Sequence, residues 1–323
     1  MIYLHDGDIR AIGVDWQQLA GIVEDVARTR DAGDCSSPLK TYLRFGDRAN
    51  RIIAMPAYVG GTTGIAGLKW IASFPANIRH GLPRAHNLIV LNDAVTGKPV
   101  AMLQSGLLNG LRTASVSGIM LRAYMEARRP QELRLGIIGW GPIGRRHLEM
   151  CASLFGSKLK RVMLYDLQGI EPDSVPEQLR AITKIADDWR SLYRRSNVIA
   201  TCTAAAERYI DEAPPAGALL LNVSLRDYKP ACVAKLKAVV VDDWQEVCRE
   251  NTDIEQLHLH FGLQEQDVRT VTDAVRREAL AEYGADEPIF FNPMGLGAFD
   301  MAIAAYYWRQ AVKQGRGIVL PDE

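Results

Sequence analysis

The sequence has little that would tie it to a disulfide-stabilised fold, a nucleic acid or a membrane. Its 5 cysteines are scattered and form no Cys-x-x-Cys pair, which favours a reduced chain with small buried thiols. Its 38 Lys and Arg balance 38 Asp and Glu, so no excess of charge favours nucleic acid or an anionic membrane as a partner. No apolar run is long enough to cross a bilayer, and no secretory leader is recognisable. We therefore expect a cytoplasmic protein.

Several catalytic and metal-binding motifs are also missing. There is no Gly-x-Ser-x-Gly motif and no Walker-type phosphate loop. The closest pair of histidines, His258 and His260, has no cysteine or carboxylate motif beside it, so we predict a helix surface there and no metal site. With 323 residues, the chain is long enough for two domains with substantial cores.

A glycine-rich turn lies in the middle of the chain. An apolar run ends in glycines spaced as Gly-x-Gly-x-x-Gly, and a helix is predicted directly after them. In a dinucleotide-binding fold these glycines permit the tight turn, the close approach of a pyrophosphate and the packing of the helix on the strand. A glycine turn that binds no ligand is the alternative. We predict that the following residues contact the cofactor: Gly139, Gly141, Pro142, Ile143 and Gly144.

An acidic residue at the end of the next predicted strand narrows the choice of cofactor. Asp166 follows the segment 160–165, about 20 residues beyond the glycines. Its carboxylate would bond the adenosine ribose hydroxyls and repel the 2′-phosphate of NADP, so we predict NAD. Arg161 lies at the wrong end of the strand to reverse this preference. Further cofactor contacts are predicted at the ends of later apolar runs: Thr201, Thr203, Val223 and Ser224.

The order of predicted elements indicates two kinds of sheet. Asp15 caps a predicted helix, and the segments after it alternate in hydrophobicity as an antiparallel meander does. Those segments are 40–44, 51–58, 65–71, 86–92 and 99–103. A helix is predicted over 113–127, with Thr113 as its cap and Pro130 after its end. The later strands are continuous apolar runs, as in a parallel sheet covered on both faces.

These patterns predict an α/β chain with two domains. A Rossmann-type parallel-sheet domain would occupy residues 113–295 and bind NAD. An antiparallel-sheet α+β domain would occupy residues 1–112 and 296–323, because the last predicted helix returns to the first domain. The substrate domain is therefore expected to be discontinuous.

Four cations before the glycine turn are candidates for substrate binding: Arg44, Lys69, Arg84 and Arg112. Lys69 stands between Leu68 and Trp70 in a predicted strand, so its side chain lies on the opposite face from theirs. If that face is interior, the ammonium needs a partner, which a bound carboxylate would supply. A solvated sheet face is the alternative. Arg112, just before the predicted helix, could reach a cofactor phosphate and a substrate carboxylate, or form a salt bridge at a domain border.

Two aspartates are candidates of a different kind. Asp227 follows a strand end on the predicted nicotinamide side and could act as a general acid or base, although an ordinary surface-loop aspartate would fit the same pattern. Asp300 stands near the start of the last predicted helix, where it could cap the helix or complement its dipole.

Five stretches together resemble the ornithine cyclodeaminase/mu-crystallin family, in the same order along nearly the whole chain. They are Gly67-Leu68-Lys69-Trp70, Leu111-Arg112-Thr113-Ala114, Gly139-Trp140-Gly141, Tyr165-Asp166, and the closing segment from Gly295 to Asp300. The resemblance implies a homodimer formed through the antiparallel domain and an amino-acid substrate. It further implies that Lys69 and Arg112 are catalytic residues that hold the substrate, that Asp227 is the third catalytic residue, and that Met294 contacts the substrate.

Within this family, the chain looks most like the branch of NAD-dependent dehydrogenases that make 2,3-diaminopropionate for siderophores and peptide antibiotics. Such an enzyme oxidises N-(1-amino-1-carboxy-2-ethyl)-glutamate and releases 2,3-diaminopropionate, 2-oxoglutarate and NADH. The supporting stretches are 38–44, 51–56, 240–244 and 292–295. The alternatives are an ornithine cyclodeaminase, an alanine-type dehydrogenase and a non-enzymatic, crystallin-like NAD-binding protein.

The chain departs from the family pattern at several positions. Lys40 stands where an arginine is frequent, Arg84 replaces a threonine that faces the cofactor, and Pro293 replaces a serine. The family aspartate is usually followed by Pro-Gly-Lys, whereas Asp227 is followed by Tyr-Lys. Because ornithine has a single carboxylate and an extra amine, additional cations such as Arg44 and Arg84 argue for a substrate with more carboxylates.

Overall fold

The computed structural model describes residues 1–47, 49–275 and 278–321. The chain forms two compact units. The first contains Met1–Ser115 and the residues from Gly295 onward, and the second contains Val116–Met294. No helix among the described residues is both long and apolar enough to cross a membrane.

The elements of the first unit come mostly from the first third of the chain. In order they are β1 (Ile2–His5), α1 (Asp6–Ile12), α2 (Trp16–Asp31), β2 (Cys35–Ser36), β3 (Thr41–Leu43), β4 (Arg51–Val59), β5 (Ile65–Ser73), β6 (Ala85–Asp93), β7 (Pro99–Gln104) and the start of α3 (Gly106–Arg128), whose residues from Val116 onward belong to the second unit. A 3-10 turn, Pro75–His80, joins β5 to β6.

The second unit alternates strands with helices. In order these are β8 (Leu133–Ile138), α4 (Pro142–Phe155), β9 (Leu159–Tyr165), α5 (Glu177–Arg180), β10 (Thr183–Ile185), α6 (Trp189–Arg195), β11 (Val198–Thr201), β12 (Leu219–Asn222), α7 (Pro230–Val233), β13 (Ala238–Val241), α8 (Trp244–Val247), α9 (Asp253–Phe261), β14 (Arg269–Thr270), α10 (Val271–Val275), α11 (Glu278–Ala281) and β15 (Ile289–Asn292). Two 3-10 turns lie at Pro172–Ser174 and Glu265–Asp267. The chain then returns to the first unit with α12 (Gly297–Gln314) and β16 (Ile318–Val319).

The sheet of the first unit has apolar side chains on both faces. Strands β4 to β7 form an antiparallel meander, and β1 extends it parallel to β7. The inner face packs against α12, so closely that a Cβ on Gly67 would lie 2.7 Å from the sulfur of Met301. Buried residues on this face include Met55, Ile89 and Leu103. The outer face carries partly exposed apolar residues instead: Ile52, Ala54, Pro56, Leu68, Trp70, Leu88, Val90 and Met102.

The sheet of the second unit consists entirely of parallel strands, in the order β10-β9-β8-β11-β12-β15-β13-β14. Its central strands β11, β12, β13 and β15 are buried along their whole length, which explains why the sequence shows continuous apolar runs there. The predicted fold class, a Rossmann-type parallel sheet with an antiparallel-rich α+β unit, is therefore confirmed. In such sheets, ligands bind at the carboxyl ends of the strands.

The predicted start of the helix over 113–127 is wrong. Helix α3 begins at Gly106 instead of Thr113, and Ser105 caps it by accepting a hydrogen bond from the amide of Leu108 at 3.2 Å. Thr113 is an interior residue whose hydroxyl donates to the carbonyl of Asn109 at 2.7 Å. The first turns contain two glycines and an asparagine, which have poor helix propensity, so the local signal was weak. Arg112 consequently lies within a helix and not before it.

Candidate functional site

The glycine turn between β8 and α4 has the geometry of a dinucleotide-binding loop. Gly139 has φ of +99°, and a Cβ there would lie 2.6 Å from the carbonyl oxygen of Cys202. A Cβ on Gly144 would lie 2.1 Å from the carbonyl oxygen of Gly139. A Cβ on Gly141, by contrast, would meet no atom within 4 Å, so the space in front of this residue is open.

Helix α4 points its amino terminus at the same turn. It begins at Pro142, followed by Ile143, and its cap Gly141 provides no side-chain acceptor for the first amides. Unsatisfied amides at a helix start, together with the helix dipole, form an anion-binding site. The turn thus has both the open space and the donors that a pyrophosphate requires.

Asp166, directly after β9, is fixed beside this turn. Its Oδ2 accepts from the amide of Trp140 at 2.7 Å, and its Oδ1 accepts from the amide of Gln168 at 2.9 Å. Each carboxylate oxygen can accept a further hydrogen bond. The arrangement leaves acceptors for sugar hydroxyls at the position expected for the adenosine ribose.

Asp227 is buried among hydroxyls at the carboxyl edge of the parallel sheet. It is 1% exposed, its Oδ1 accepts from Thr203 Oγ1 at 2.6 Å, and its Oδ2 accepts from Ser224 Oγ. Burial raises the pKa of this carboxyl, although the hydroxyl donors partly offset the effect. The interpretation of Asp227 as a surface-loop aspartate is therefore wrong, because sequence spacing gives no sign of how the loop folds back onto the strands.

The other residues predicted along this edge differ in accessibility. Thr201 is fully buried, and its hydroxyl donates to Asn222 Oδ1 at 3.1 Å. Thr203, Val223 and Ser224 are partly exposed. Met294 follows β15, and its amide donates to Asp242 Oδ1 at 3.0 Å.

A buried cluster of charges in the first unit centres on Lys69, which is 1% exposed in the middle of β5. Its Nζ donates to Asp300 Oδ1 at 2.8 Å and to Asn109 Oδ1 at 2.7 Å. Arg112 Nε donates to the same Asp300 oxygen at 3.0 Å. One carboxylate oxygen of α12 therefore pairs with a cation from β5 and a cation from α3.

Burial and charge act in opposite directions within this cluster. Burial lowers the pKa of Lys69 to about 8, although Asp300 counteracts part of the shift. Burial raises the pKa of Asp300, but the charges of Arg112 and Lys69 outweigh it and hold that pKa below its usual range. The cluster consequently contains an ionised carboxylate and an amine able to lose its proton near neutral pH.

Three sequence-based expectations about this cluster change. The alternative that Lys69 lies on a solvated sheet face is wrong. The carboxylate beside Lys69 comes from Asp300 of the protein and not from a bound ligand. Asp300 does not only complement the start of a helix, because its carboxylate also pairs with Lys69 and Arg112. The contact of Asn109 with Lys69 was not predicted. A signal was nevertheless present: Asp300 is the lone charge among the apolar residues at the start of α12, and a buried charge requires a partner.

Of the other predicted cations, Arg44 lies beside the ring of Tyr42. The guanidinium of Arg44 lies 5.3 Å from the centre of the Tyr42 ring, and that of Arg51 lies 5.8 Å from it. Partial burial and the nearby charge of Arg51 lower the pKa of Arg84. Lys40 is 7% exposed, and its charge contributes to the lowered pKa of Lys69. The predicted substrate contacts of Arg44 and Arg84 and the predicted cofactor contact of Arg112 stay predictions.

Histidine, cysteine and acidic residues do not gather into a possible metal site anywhere in residues 1–47, 49–275 or 278–321. His258 and His260 lie on α9, where His258 Nδ1 contacts the carbonyl of Leu263 at 2.8 Å.

Known proteins resemble the chain over almost its full length. The profile of the ornithine cyclodeaminase/mu-crystallin family matches residues 11–314. The chain is 33% identical over 334 residues to the N-((2S)-2-amino-2-carboxyethyl)-L-glutamate dehydrogenase of Staphylococcus aureus, an alignment that covers 99% of this chain and 98% of that protein.

Solved structures of other proteins share the fold. One is the Δ(1)-pyrroline-2-carboxylate reductase of Thermococcus litoralis in complex with NADH and L-proline, with a TM-score of 0.86, 21% identity, and coverage of 99% of this chain and 100% of that one. Another is an archaeal alanine dehydrogenase dimer with bound NAD, with a TM-score of 0.79, 21% identity and coverage of 98% of each chain. By its family profile and its full-length relative, the chain belongs to the ornithine cyclodeaminase/mu-crystallin family.

Proposed function

We propose that this chain oxidises N-((2S)-2-amino-2-carboxyethyl)-L-glutamate with NAD⁺ and water, and releases L-2,3-diaminopropionate, 2-oxoglutarate, NADH and a proton. The observation that carries the proposal is the 33% identity, over 99% of the chain, to the Staphylococcus aureus dehydrogenase named for that substrate. The chain is an NAD-dependent oxidoreductase of amino-acid substrates, and the specific substrate is the part that we propose.

The second unit suits NAD. The open space at Gly141 and the uncapped start of α4 fit a pyrophosphate, and the carboxylate of Asp166 fits a ribose and disfavours NADP. Bound NAD⁺ would accept the hydride from the glutamate α-carbon. The proposed cofactor contacts in this unit are Gly139, Gly141, Pro142, Ile143, Gly144, Asp166, Thr201, Thr203, Val223 and Ser224.

The first unit suits a substrate rich in carboxylates. The ammonium of Lys69 has three donors, of which Asp300 and Asn109 take two, so one remains for a substrate oxygen. Arg112 bonds Asp300 through Nε, and its Nη1 has no acceptor among the described residues. We assign one substrate carboxylate to this pair, the further carboxylates to Arg44 and Arg84, and an apolar substrate contact to Met294.

Asp227 is the group that we assign to proton transfer. Loss of the hydride converts the secondary amine of the substrate into an imine and leaves a proton to be removed. Water must then add to the imine carbon, and the carbinolamine must break its C–N bond to release the two products. A carboxyl whose pKa is raised by burial can take up and return protons closer to neutral pH than an exposed aspartate can.

The test is a comparison of substrates with the purified protein and NAD⁺. We expect NADH to form from the N-substituted glutamate, with 2-oxoglutarate in equal amount, and not from alanine. Cyclisation of ornithine to proline, or NADH from alanine alone, would overturn the substrate assignment. NAD binding without turnover of any of these would instead favour the non-enzymatic, crystallin-like alternative.

Lys69→Ala should abolish turnover while the protein still binds NAD, because Lys69 belongs to the first unit.

Three further assignments belong to the same proposal. The partly exposed apolar outer face of the first sheet supports a homodimer. The 5 free cysteines suit a reducing cytoplasm. The product, 2,3-diaminopropionate, would supply siderophore or peptide-antibiotic synthesis, and we expect neighbouring genes to include the synthase that joins a serine derivative to glutamate.

A further inference from the structure

We propose that Asn222 and Asp253 are positioning residues of the reaction, which fix the loop 223–228 so that Asp227 keeps one orientation. The proposal rests on the proposed function, in which Asp227 transfers the proton. Neither residue was predicted as functional, and both are fully buried at the carboxyl edge of the parallel sheet.

Asp253 holds this loop on both sides of Asp227. As the first residue of α9, it donates its backbone amide to the carbonyl of Leu225 at 2.8 Å. Its carboxylate Oδ2 accepts from the amide of Tyr228 at 3.2 Å. The residue before Arg226 and the residue after Asp227 are therefore bonded to the same aspartate, which prevents the intervening segment from rotating.

Asn222 joins the same loop to the sheet and uses its whole hydrogen-bonding capacity. Its Oδ1 accepts from Thr201 Oγ1 at 3.1 Å and from the amide of Leu225 at 3.2 Å. Its Nδ2 donates to Asp253 Oδ2 at 2.9 Å and to Asn292 Oδ1 at 2.7 Å. Two acceptor and two donor positions are all that a primary amide offers. The residue thereby ties β11, β12 and β15 to the loop and to α9.

The backbone around this network is strained in a way that needs an external constraint. Leu225 has φ of +66°, and Glu250 and Asn251 have φ of +62° and +57°. This left-handed region is unfavourable for leucine and glutamate, although asparagine tolerates it better, and it persists at such residues only where surrounding bonds enforce it. Arg226 Nη2 donates to the carbonyl of Glu250 at 2.8 Å, so the two strained segments are bonded to each other.

Arg208 completes the support. Its Nε donates to Asp253 Oδ1 at 2.7 Å, and its Nη2 donates to the carbonyl of Asn251 at 2.6 Å. Asp253 therefore uses one oxygen for an ion pair and the other for the loop. The consequence for Asp227 is that its carboxylate meets Thr203 and Ser224 only because the backbone on both sides of it is fixed.

The experiment compares Asp253→Ala and Asp253→Asn with wild type, using Arg194→Ala as the control. Arg194 pairs with Glu212 on the exposed surface of the same unit. We expect Asp253→Ala to lower kcat by roughly 100-fold, as small displacements of a reacting group do. Asp253→Asn should recover part of the loss, because an amide oxygen can still accept from the amide of Tyr228. Arg194→Ala should keep wild-type kcat.

A double variant distinguishes a role of Asp253 in positioning Asp227 from a general loss of structure. If Asp253 acts through Asp227, adding Asp253→Ala to Asp227→Ala should lower kcat no further, because the positioned group is already gone. The proposal would be overturned if Asp253→Ala lowered kcat by the same factor in the Asp227→Ala variant as in wild type. It would also be overturned if Asp253→Ala alone left kcat unchanged. If Asp253→Ala does not fold, Asp253→Asn and Asn222→Ser take its place in the same cycle.

Hydrogen exchange tests the loop independently of the substrate assignment. In Asp253→Ala, amides in residues 224–228 should exchange faster than in wild type, whereas those of α4 should not change. Exchange in this loop that matches wild type would overturn the proposal even if activity fell. If wild type forms no NADH from the N-substituted glutamate, the proposed function has failed, and the exchange result still decides whether Asp253 fixes the loop.

Discussion

At the scale of single residues, Lys69 illustrates how a fully buried ammonium is accommodated. Removing a charge from water is costly unless it is paired and hydrogen-bonded. Asp300 and Asn109 provide that pairing, and Arg112 shares the same carboxylate oxygen at 3.0 Å. Two cations share one carboxylate, so the cluster retains excess positive charge. A substrate carboxylate arriving there would neutralise a charge that the protein alone leaves uncompensated.

Replacement of Asp300 should therefore cost stability as well as activity. We expect Asp300→Asn to lower the free energy of unfolding by about 3–5 kcal/mol, because it leaves two buried cations without a carboxylate. Urea denaturation followed by circular dichroism measures this loss. The matched control is Glu132→Gln, whose partner Arg134 is 40% exposed, and it should cost less than about 1 kcal/mol. A similar small loss for both variants would mean that Asp300 is not needed to stabilise the cations.

The lowered pKa of Lys69 predicts how activity depends on pH. Because burial lowers this pKa to about 8, the ammonium loses its proton as pH rises through that value, and its attraction for a carboxylate is lost with it. We expect kcat/KM for the amino-acid substrate, at saturating NAD, to fall above about pH 8. Lys69→Arg should move this fall to higher pH, since a guanidinium stays charged. A fall at the same pH in the arginine variant would assign it to another group.

At the scale of secondary-structure elements, local patterns predicted most of the strands. Alternation identified β4, β5 and β6 because one sheet face is covered by α12 and the other is partly exposed. Continuous apolar runs identified the central parallel strands because both of their faces are buried. The cap at Asp15 is also confirmed, since its Oδ1 accepts from the amide of Gln18 at 3.0 Å. These features are encoded within a few residues of sequence.

Part of what the sequence did not reveal depends on contacts between distant residues. The pairing of Lys69 with Asp300 joins positions 231 residues apart, and Asp253 bonds the loop of Asp227 from 25 residues beyond Tyr228. The start of α3 was missed because its capping serine precedes a glycine-rich turn. The short strand β10 was missed because only three residues pair with β9. The first two interactions lie outside the window in which periodicity can be detected, whereas at α3 and β10 the local signal itself is weak.

Two glycines of the turn between β8 and α4 should respond differently to the same substitution. Gly141→Ala places a methyl group in open space, so we expect normal folding but NAD binding weaker by at least tenfold, because the methyl group occupies the path of the pyrophosphate. Gly144→Ala would bring its Cβ within 2.1 Å of a backbone oxygen, so we expect a lowered melting temperature without any ligand. Thermal melting and NAD titration, followed by tryptophan fluorescence, distinguish the two effects. Equal NAD affinity in Gly141→Ala and wild type would place the pyrophosphate elsewhere.

At the scale of the whole molecule, we expect another protein chain to cover the outer face of the first sheet. Leu68 of β5 pairs with Val90 of β6, and Trp70 beside them is 37% exposed. Neighbouring strands extend the same apolar face, whereas α12 covers only the opposite one. A contiguous apolar patch on a sheet is typical of an association surface. Because closed symmetric pairs are the commonest assemblies, a second copy of the chain is the partner that we expect.

The same substitution at two valines tests this expectation. Val90→Glu puts a carboxylate in the middle of the outer face, and burying an unpaired charge at an interface is unfavourable, so this variant should be monomeric. Val95 is 93% exposed in the turn after β6, so Val95→Glu should leave the assembly unchanged. Light scattering after size exclusion should give twice the chain mass of 35.8 kDa for wild type and Val95→Glu, and the chain mass for Val90→Glu. If Val90→Glu still forms dimers, the interface must lie on another surface, and the apolar face of β4 to β7 would need a different partner to cover it.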